Sequence, residues 1–208
     1  MKVVSRAPVR PTTRPVLVTG GCGFIGCNLV HALAARGERV LVLDSLARPG
    51  AERNARWLKA LHPAAIEFRR ADMRDERAVR AAVASARAVL HLAAQVAVTT
   101  SLEDPAQDFA INAGGAVVLL EAVRRLNPQS PVLFASTNKV YGRLFGAGNV
   151  KAAGKRCAPV GAAYAHGVSE DTPLDFHSPY GCSKGAADQY VRDYARVFGL
   201  RTAVLRMS

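Results

Sequence analysis

Tyr180 and Lys184 stand four residues apart in Ser178-Pro179-Tyr180-Gly181-Cys182-Ser183-Lys184. On a helix that spacing places one side chain over the other, so an ammonium is set beside a phenol. A free tyrosine titrates near ~10, and its phenolate is scarce at neutral pH. Lowering that value by about three units takes roughly 4 kcal/mol of preferential phenolate stabilisation. An adjacent lysine, helped by a second positive charge, is expected to supply it. The pair is therefore a candidate base for the hydroxyl of an alcohol. Y-x-x-x-K alone is a common helix pattern; its weight comes from what precedes it.

What precedes it is a glycine turn, Gly20-Gly21-Cys22-Gly23-Phe24-Ile25-Gly26, between an apolar run, Pro15-Val-Leu-Val-Thr19, and a helical pattern beginning at Phe24. Gly20 permits a tight turn, Gly23 lets backbone approach a pyrophosphate, and Gly26 lets helix and strand pack closely. The helix start then directs free N–H groups at phosphate. Asp44 ends the next strand, 18 residues after Gly26. A carboxylate there accepts from both ribose hydroxyls of an adenosine and repels a 2′-phosphate, which favours NAD over NADP; Arg48 nearby weighs the other way. Asp72 follows the third strand, where it either meets an adenine amino group or caps a helix. Ser136 and Thr137 end the fifth strand, where ligands sit in open α/β sheets. Thr137 is the favoured partner for a reacting substrate oxygen.

The elements needed to hold these groups alternate along the chain. Strands are expected at residues 15–19, 39–43, 66–68, 88–92, 131–135 and 202–206. Helices are expected at 24–36, 51–61, 75–86, 104–126 and 179–198. Short apolar strands alternating with helices argue for an α/β fold with a doubly wound parallel sheet. Gly142 to His177 is long, weakly periodic and rich in Gly and Ala, and reads as a functional loop. Residues 1–14, with Pro8 and Pro11 among basic residues, read as a loose tail before a domain at 15–208.

The 208 residues are half hydrophobic and carry a net charge of +12. The arginines are scattered, with no basic run and no aromatic platform among them. That reads as a basic surface compatible with a diphosphate ligand, and against nucleic acid. The cysteines, Cys22, Cys27, Cys157 and Cys182, form no C-x-x-C and no zinc spacing, so no metal is expected. They read as reduced small hydrophobes in a cytoplasmic protein. No apolar run approaches the ~18 residues of a membrane span, so no membrane partner is expected.

Thr19-Gly-Gly-Cys-Gly-Phe-Ile-Gly26, His91-Leu-Ala-Ala94, Asn112 and the Tyr180/Lys184 pair resemble the extended short-chain dehydrogenase/reductases, the NAD-dependent epimerase/dehydratase family. The likeness runs from about Val16 to the end. It implies the Rossmann form of the doubly wound sheet and NAD as cofactor. Gly20, Gly23, Phe24, Ile25, Gly26, Asp44, Asp72, Met73, Leu92, Ala93 and Ala94 would line that cofactor, with Asn112, Ser136, Tyr180 and Lys184 at its reacting end. Thr137, Tyr180 and Lys184 would be catalytic. Three further strings, Gln95–Ser101, Ser136–Gly142 and Leu174–Tyr190, are similar to the branch that epimerises nucleotide sugars at C2 through a transient 2-keto sugar.

Related 4,6-dehydratases carry Asp-Glu after the catalytic Thr. Asn138 and Lys139 stand there instead, which ranks dehydration below epimerisation; a 4-epimerase of a UDP-sugar shares the same core. Members of the family continue well beyond the position of Ser208. The resemblance thus implies that the C-terminal substrate domain is missing and that the isolated chain is weakly active or inactive, and a non-catalytic NAD-binding remnant stays open. Pairing into a homodimer through residues 104–126 and 179–198 is also implied, although their apolar residues fit ordinary core equally well.

Overall fold

The structure is a computed structural model and describes residues 14–144, 150–160 and 167–208. Nearly all of the proposed N-terminal tail lies outside that set. Arg14, its last residue, donates to the carbonyls of Ala84 and Ser85.

Six parallel strands form one sheet: β1 (Val16–Thr19), β2 (Val40–Asp44), β3 (Ile66–Arg70), β4 (Ala88–His91), β5 (Val132–Thr137) and β8 (Thr202–Met207). Their spatial order is β3-β2-β1-β4-β5-β8. The chain runs outward from β1 to β3, then returns to the other side of β1 at β4. That reversal opens a crevice between β1 and β4 at the carboxyl ends of the strands, where doubly wound sheets place their ligands. β3 and β5 each run two residues beyond the expected ends. The cause is non-local pairing: Asp44 faces Arg70, and Ser136 and Thr137 face Arg206 and Met207.

Alternate strand residues point to opposite faces, and both faces of the central strands are covered. Val16, Val18, Val40 and Val42 pack under α1 (Phe24–Ala35) and α2 (Ala51–Leu61), chiefly on Val30 and Leu58. Leu17, Leu41, Val89, Val132 and Phe134 pack under α3 (Glu76–Ser85), α6 (Gly115–Leu126) and α7 (Pro179–Phe198). β8 is an edge strand. Its Leu205 and Met207 remain exposed on the face away from α7.

Three expectations need correction. Residues 104–126 do not form one uniform helix. α5 (Pro105–Phe109) passes through a π-helical turn, Ala110–Gly114, into α6, and a separate short helix, α4 (Val98–Glu103), precedes it. The β-branched and hydroxyl residues of α4 are weak helix formers. The helix is held by the side chain of Gln95, which accepts from the Ala97 amide, and by Ser101, which donates to Val98 O. Second, the segment 142–177 contains an antiparallel hairpin, β6 (Val150–Ala153) with β7 (Arg156–Pro159), so it is not one long loop; its residues 145–149 and 161–166 lie outside the described set. Third, Pro105–Leu126 is long and apolar enough to cross a membrane by length and composition. Half of that stretch is buried inside the fold, where Leu119, Leu120 and Val123 complete the core.

Candidate functional site

The carboxyl ends of β1, β2, β4 and β5 carry Thr19, Asp44, His91 and Thr137 to one end of the sheet. Gly20 continues from β1 with φ +69° and donates to Leu43 O at 2.9 Å. A Cβ on Gly20 would lie 2.6 Å from the Ala93 nitrogen, so the turn is pressed against the end of β4. At Gly26 a Cβ would lie 2.1 Å from the Gly20 carbonyl oxygen. The third glycine thus lets α1 sit on the turn itself. Gly23 differs: a Cβ there would meet only Gly20 O, at 3.4 Å, and otherwise open space. Gly23 starts α1 with no side-chain cap and no acidic residue in the first turn. Its free N–H groups are left for an anion, and Phe24 and Ile25 stand exposed beside them.

The Asp44 carboxylate is oriented by two backbone donors, Cys22 N at 2.8 Å and Leu46 N at 2.9 Å. It keeps lone pairs free for hydroxyls. A cavity of about 220 Å³ adjoins it, lined by Leu46, Phe68, Arg56, Lys59 and Arg70 among others. Burial, reinforced by Asp44 and Cys27, pushes the Cys22 thiol up to about 12, so it stays protonated. An uncapped helix start, an open glycine and an oriented carboxylate at the next strand end fit the pyrophosphate and adenosine ribose of a dinucleotide.

Other residues of the expected cofactor lining have different surroundings. The Asp72 carboxylate is engaged by the side chain and amide of Arg74 at 2.9 Å, and the side-chain hydrogen bond holds its pKa below the usual range. Met73 is buried, and a Cβ on Gly115 would lie 3.0 Å from its own Cβ, so it is also core. Leu92 and Ala93 donate their amides to the Thr19 carbonyl and hydroxyl, which seats the strand end against the glycine turn. Ala94 is half-buried beside them. Asn112 is 2% exposed and fully engaged. It accepts from Gln95 N and donates to Gln95 O, Ser183 Oγ and Asp108 Oδ1. It ties the β4 loop to α5 and α7 from within the π-helical turn, a deviation that often marks functional sites.

Tyr180 and Lys184 occupy the first turns of α7. Ser178 caps that helix by accepting from Gly181 N at 3.0 Å, and Pro179 follows the cap. Ser101 of α4 accepts from the Tyr180 amide at 3.1 Å. The Thr137 hydroxyl accepts from Lys139 N at 3.2 Å, and Thr137 is near enough to Tyr180 to draw the phenol's pKa down. Ser136 points the other way: it is buried and donates to Asp188 Oδ2 at 2.8 Å.

The lysine corrects one electrostatic expectation. Lys184 is 3% exposed, donates to Ala135 O at 2.6 Å and lies 4.2 Å above the Phe134 ring. Burial lowers its pKa to about 7, against the opposing pull of Asp188 and Asp108. The Tyr180 phenol is raised by burial and further by Asp108, with Thr137 opposing. The protein alone therefore keeps the phenol protonated: burial outweighs the lowering expected from Lys184.

Sequence reasoning passed over Ser101, Asp108, Ser183, Asp188 and Arg206. Asp188 lies one turn after Lys184, is fully buried, and pairs with both Nε and Nη2 of Arg206 at 2.9 Å. Arg206 also donates to the Tyr141 hydroxyl at 2.8 Å. The signals were helical spacings: Asp108 is four before Asn112, and Asp188 four after Lys184.

Residues 16–208 match the NAD dependent epimerase/dehydratase family. The chain is 46% identical over 195 residues to a CDP-paratose 2-epimerase from Salmonella typhi, covering 93% of this chain and 56% of that protein. Among solved structures, it is similar to the UDP-glucose 4-epimerase of Thermus thermophilus in complex with NAD, with TM-score 0.73 and 37% identity over 92% of this chain and 54% of that one. It is also similar to the dTDP-glucose 4,6-dehydratase DesIV of Streptomyces venezuelae with NAD and TYD bound, with TM-score 0.75 and 28% identity over 92% and 55% of the two chains. The chain thus spans little more than half the length of these relatives.

Proposed function

The chain belongs to the NAD dependent epimerase/dehydratase family, and from that membership we propose that it forms the NAD-binding and catalytic part of a nucleotide-sugar epimerase acting at C2. The observation that carries this reading is the docking of α7, which bears Tyr180 and Lys184, on the end of β5 through Lys184 Nζ and Ala135 O at 2.6 Å, at the same end of the sheet as the glycine turn. Its likeness to a CDP-paratose 2-epimerase supports the CDP-paratose/CDP-tyvelose pair as substrates.

NAD bound here supplies a hydride acceptor that returns what it takes, so no net oxidation results. Gly23 and the start of α1 would hold its pyrophosphate, and Asp44 its adenosine ribose. Tyr180 takes the proton of the sugar hydroxyl and gives it back, while Thr137 orients that oxygen. Lys184 holds positive charge beneath the phenol. Any positive charge brought into this buried site lowers the phenol's pKa, which the protein's own groups leave high. Water elimination lacks its acid and base: at Asn138 the side chain donates to Ser208 Oγ at 3.0 Å, and Lys139 is an ammonium.

A UDP-sugar 4-epimerase is the second reading, favoured by the likeness to the Thermus thermophilus enzyme. Cytoplasmic residence is part of the proposal. So is a homodimer through residues 104–126 and 179–198, supported by exposed Phe109, Leu126, Tyr190, Val197 and Phe198; a monomer in analytical ultracentrifugation would overturn the homodimer.

The function is tested by replacing the matched segment of the Salmonella typhi enzyme with residues 16–208. The hybrid is expected to interconvert CDP-paratose and CDP-tyvelose, to lose that activity with Tyr180→Phe and to keep NAD. The 208-residue chain alone is expected to turn over weakly or not at all. A hybrid active only on UDP-glucose would favour the second reading.

A further inference from the structure

Resting on the reading of Tyr180 and Lys184 as the reacting pair, we infer that Asp108 is a positioning residue of that pair, acting through Ser183 and through its own buried charge. Asp108 lies on α5 and is 1% exposed. Its carboxylate accepts from the Ser183 hydroxyl and from Asn112 Nδ2, and no cation hydrogen-bonds it among the described residues. Ser183 stands between Tyr180 and Lys184 on α7 and also accepts from Asn112 at 3.0 Å. Asp108 therefore anchors the turn of α7 that carries both reacting groups. Ser101 of α4 holds the same turn at the Tyr180 amide.

A buried carboxylate without a paired cation is costly, and such groups gather at functional sites. The charges around it show what this one does. On α7, Asp188 is neutralised by its paired bonds from Arg206 of β8. On β4, burial pushes His91 down to about 3, which leaves it neutral. On β5, Thr137 carries no charge. Asp108 thus acts on Lys184 beside Asp188, whose larger pull is shared with Arg206. Its field raises both Lys184 and Tyr180. The carboxylate favours the charged ammonium and the protonated phenol.

The test is a spectrophotometric tyrosinate titration of the 208-residue chain, with Tyr180→Phe subtracted to isolate the Tyr180 step. Asp108→Asn keeps shape and removes charge; it is expected to lower that step by about one pH unit. Ser183→Ala keeps the charge and is expected not to lower it. A Tyr180 step unmoved by Asp108→Asn, or lowered equally by Ser183→Ala, would overturn the inference. If Asp108→Asn fails to fold by circular dichroism, Asp108→Ser replaces it. Failure of both while Ser183→Ala folds would assign Asp108 to stability alone, which also overturns the inference. NAD binding measured in parallel separates the two ideas: its absence in the parent chain counts against the proposed function and leaves the titration result standing.

Discussion

The ammonium of Lys184 donates to the backbone carbonyl of Ala135 at 2.6 Å, which fixes the lysine to β5 beneath the site. Burial lowers its pKa from 10.5 to about 7. Between those values the unfolded chain binds more protons than the native one, so this group makes stability rise with pH from about 7 to 10.5. Below that window the cost of burying the ammonium is fully present. The urea midpoint of the parent chain is expected to rise across the window. Lys184→Met lacks the group and should rise less. Parallel pH profiles for the two proteins would refute the assignment.

Arg206 and Asp188 form a pair with side chains 9% and 0% exposed. Removing one partner strands a buried charge, which typically costs about 3–5 kcal/mol. Arg206→Met is expected to lose stability in that range by urea denaturation. Adding Asp188→Asn should recover much of the loss. A cost below about 1 kcal/mol would be that of an exposed pair and would contradict the burial.

Two glycines of the same turn are expected to separate folding from binding. Gly26→Ala drives a methyl into the Gly20 carbonyl, where 2.1 Å is available, and should cost about 2 kcal/mol or more of stability. Gly23→Ala meets that oxygen at an ordinary 3.4 Å. It should melt near the parent temperature but bind NAD at least about tenfold more weakly, a loss of ~1.4 kcal/mol. Calorimetric melting with NAD titration checks both. Equal melting losses would show that Gly23 is structural.

Asp44 is expected to set the choice between NAD and NADP. Asp44→Asn keeps an acceptor for a backbone N–H and removes the charge that repels a 2′-phosphate. With Arg56, Lys59 and Arg70 lining the adjoining cavity, the ratio of NADP to NAD affinity should rise by about tenfold. An unchanged ratio by isothermal titration would move the discrimination elsewhere.

Much of this architecture is written locally. Val-Leu-Val-Thr before Gly20 and the helical spacing after Phe24 report β1 and α1, because strand alternation and helix periodicity are properties of neighbouring residues. The same holds for the Asp75 cap of α3 and the Ser178-Pro179 start of α7. Tyr180, Lys184, Thr137 and the glycine turn were legible because their spacing and their place at element ends could be read along the chain. The hairpin at 150–159, the helix Val98–Glu103 and the break at Ala110–Gly114 were not. Each is held by partners distant in sequence or weak in local propensity, as Asn112 is by Ser183 and Gln95.

The sequence by itself determined the order of the six sheet strands, the strand ends at which ligands gather and the residue types available for proton transfer. Only the tertiary structure decided the electrostatic state of those residues. Lys184 turns to Ala135, Ser136 turns to Asp188, and Asp108 turns to Ser183 and Asn112, because desolvation and Coulomb forces depend on which groups the fold brings within a few ångströms. Four-residue spacing places two side chains on one helix face. What shares the space beneath them is settled by packing among β4, β5, β8, α5 and α7.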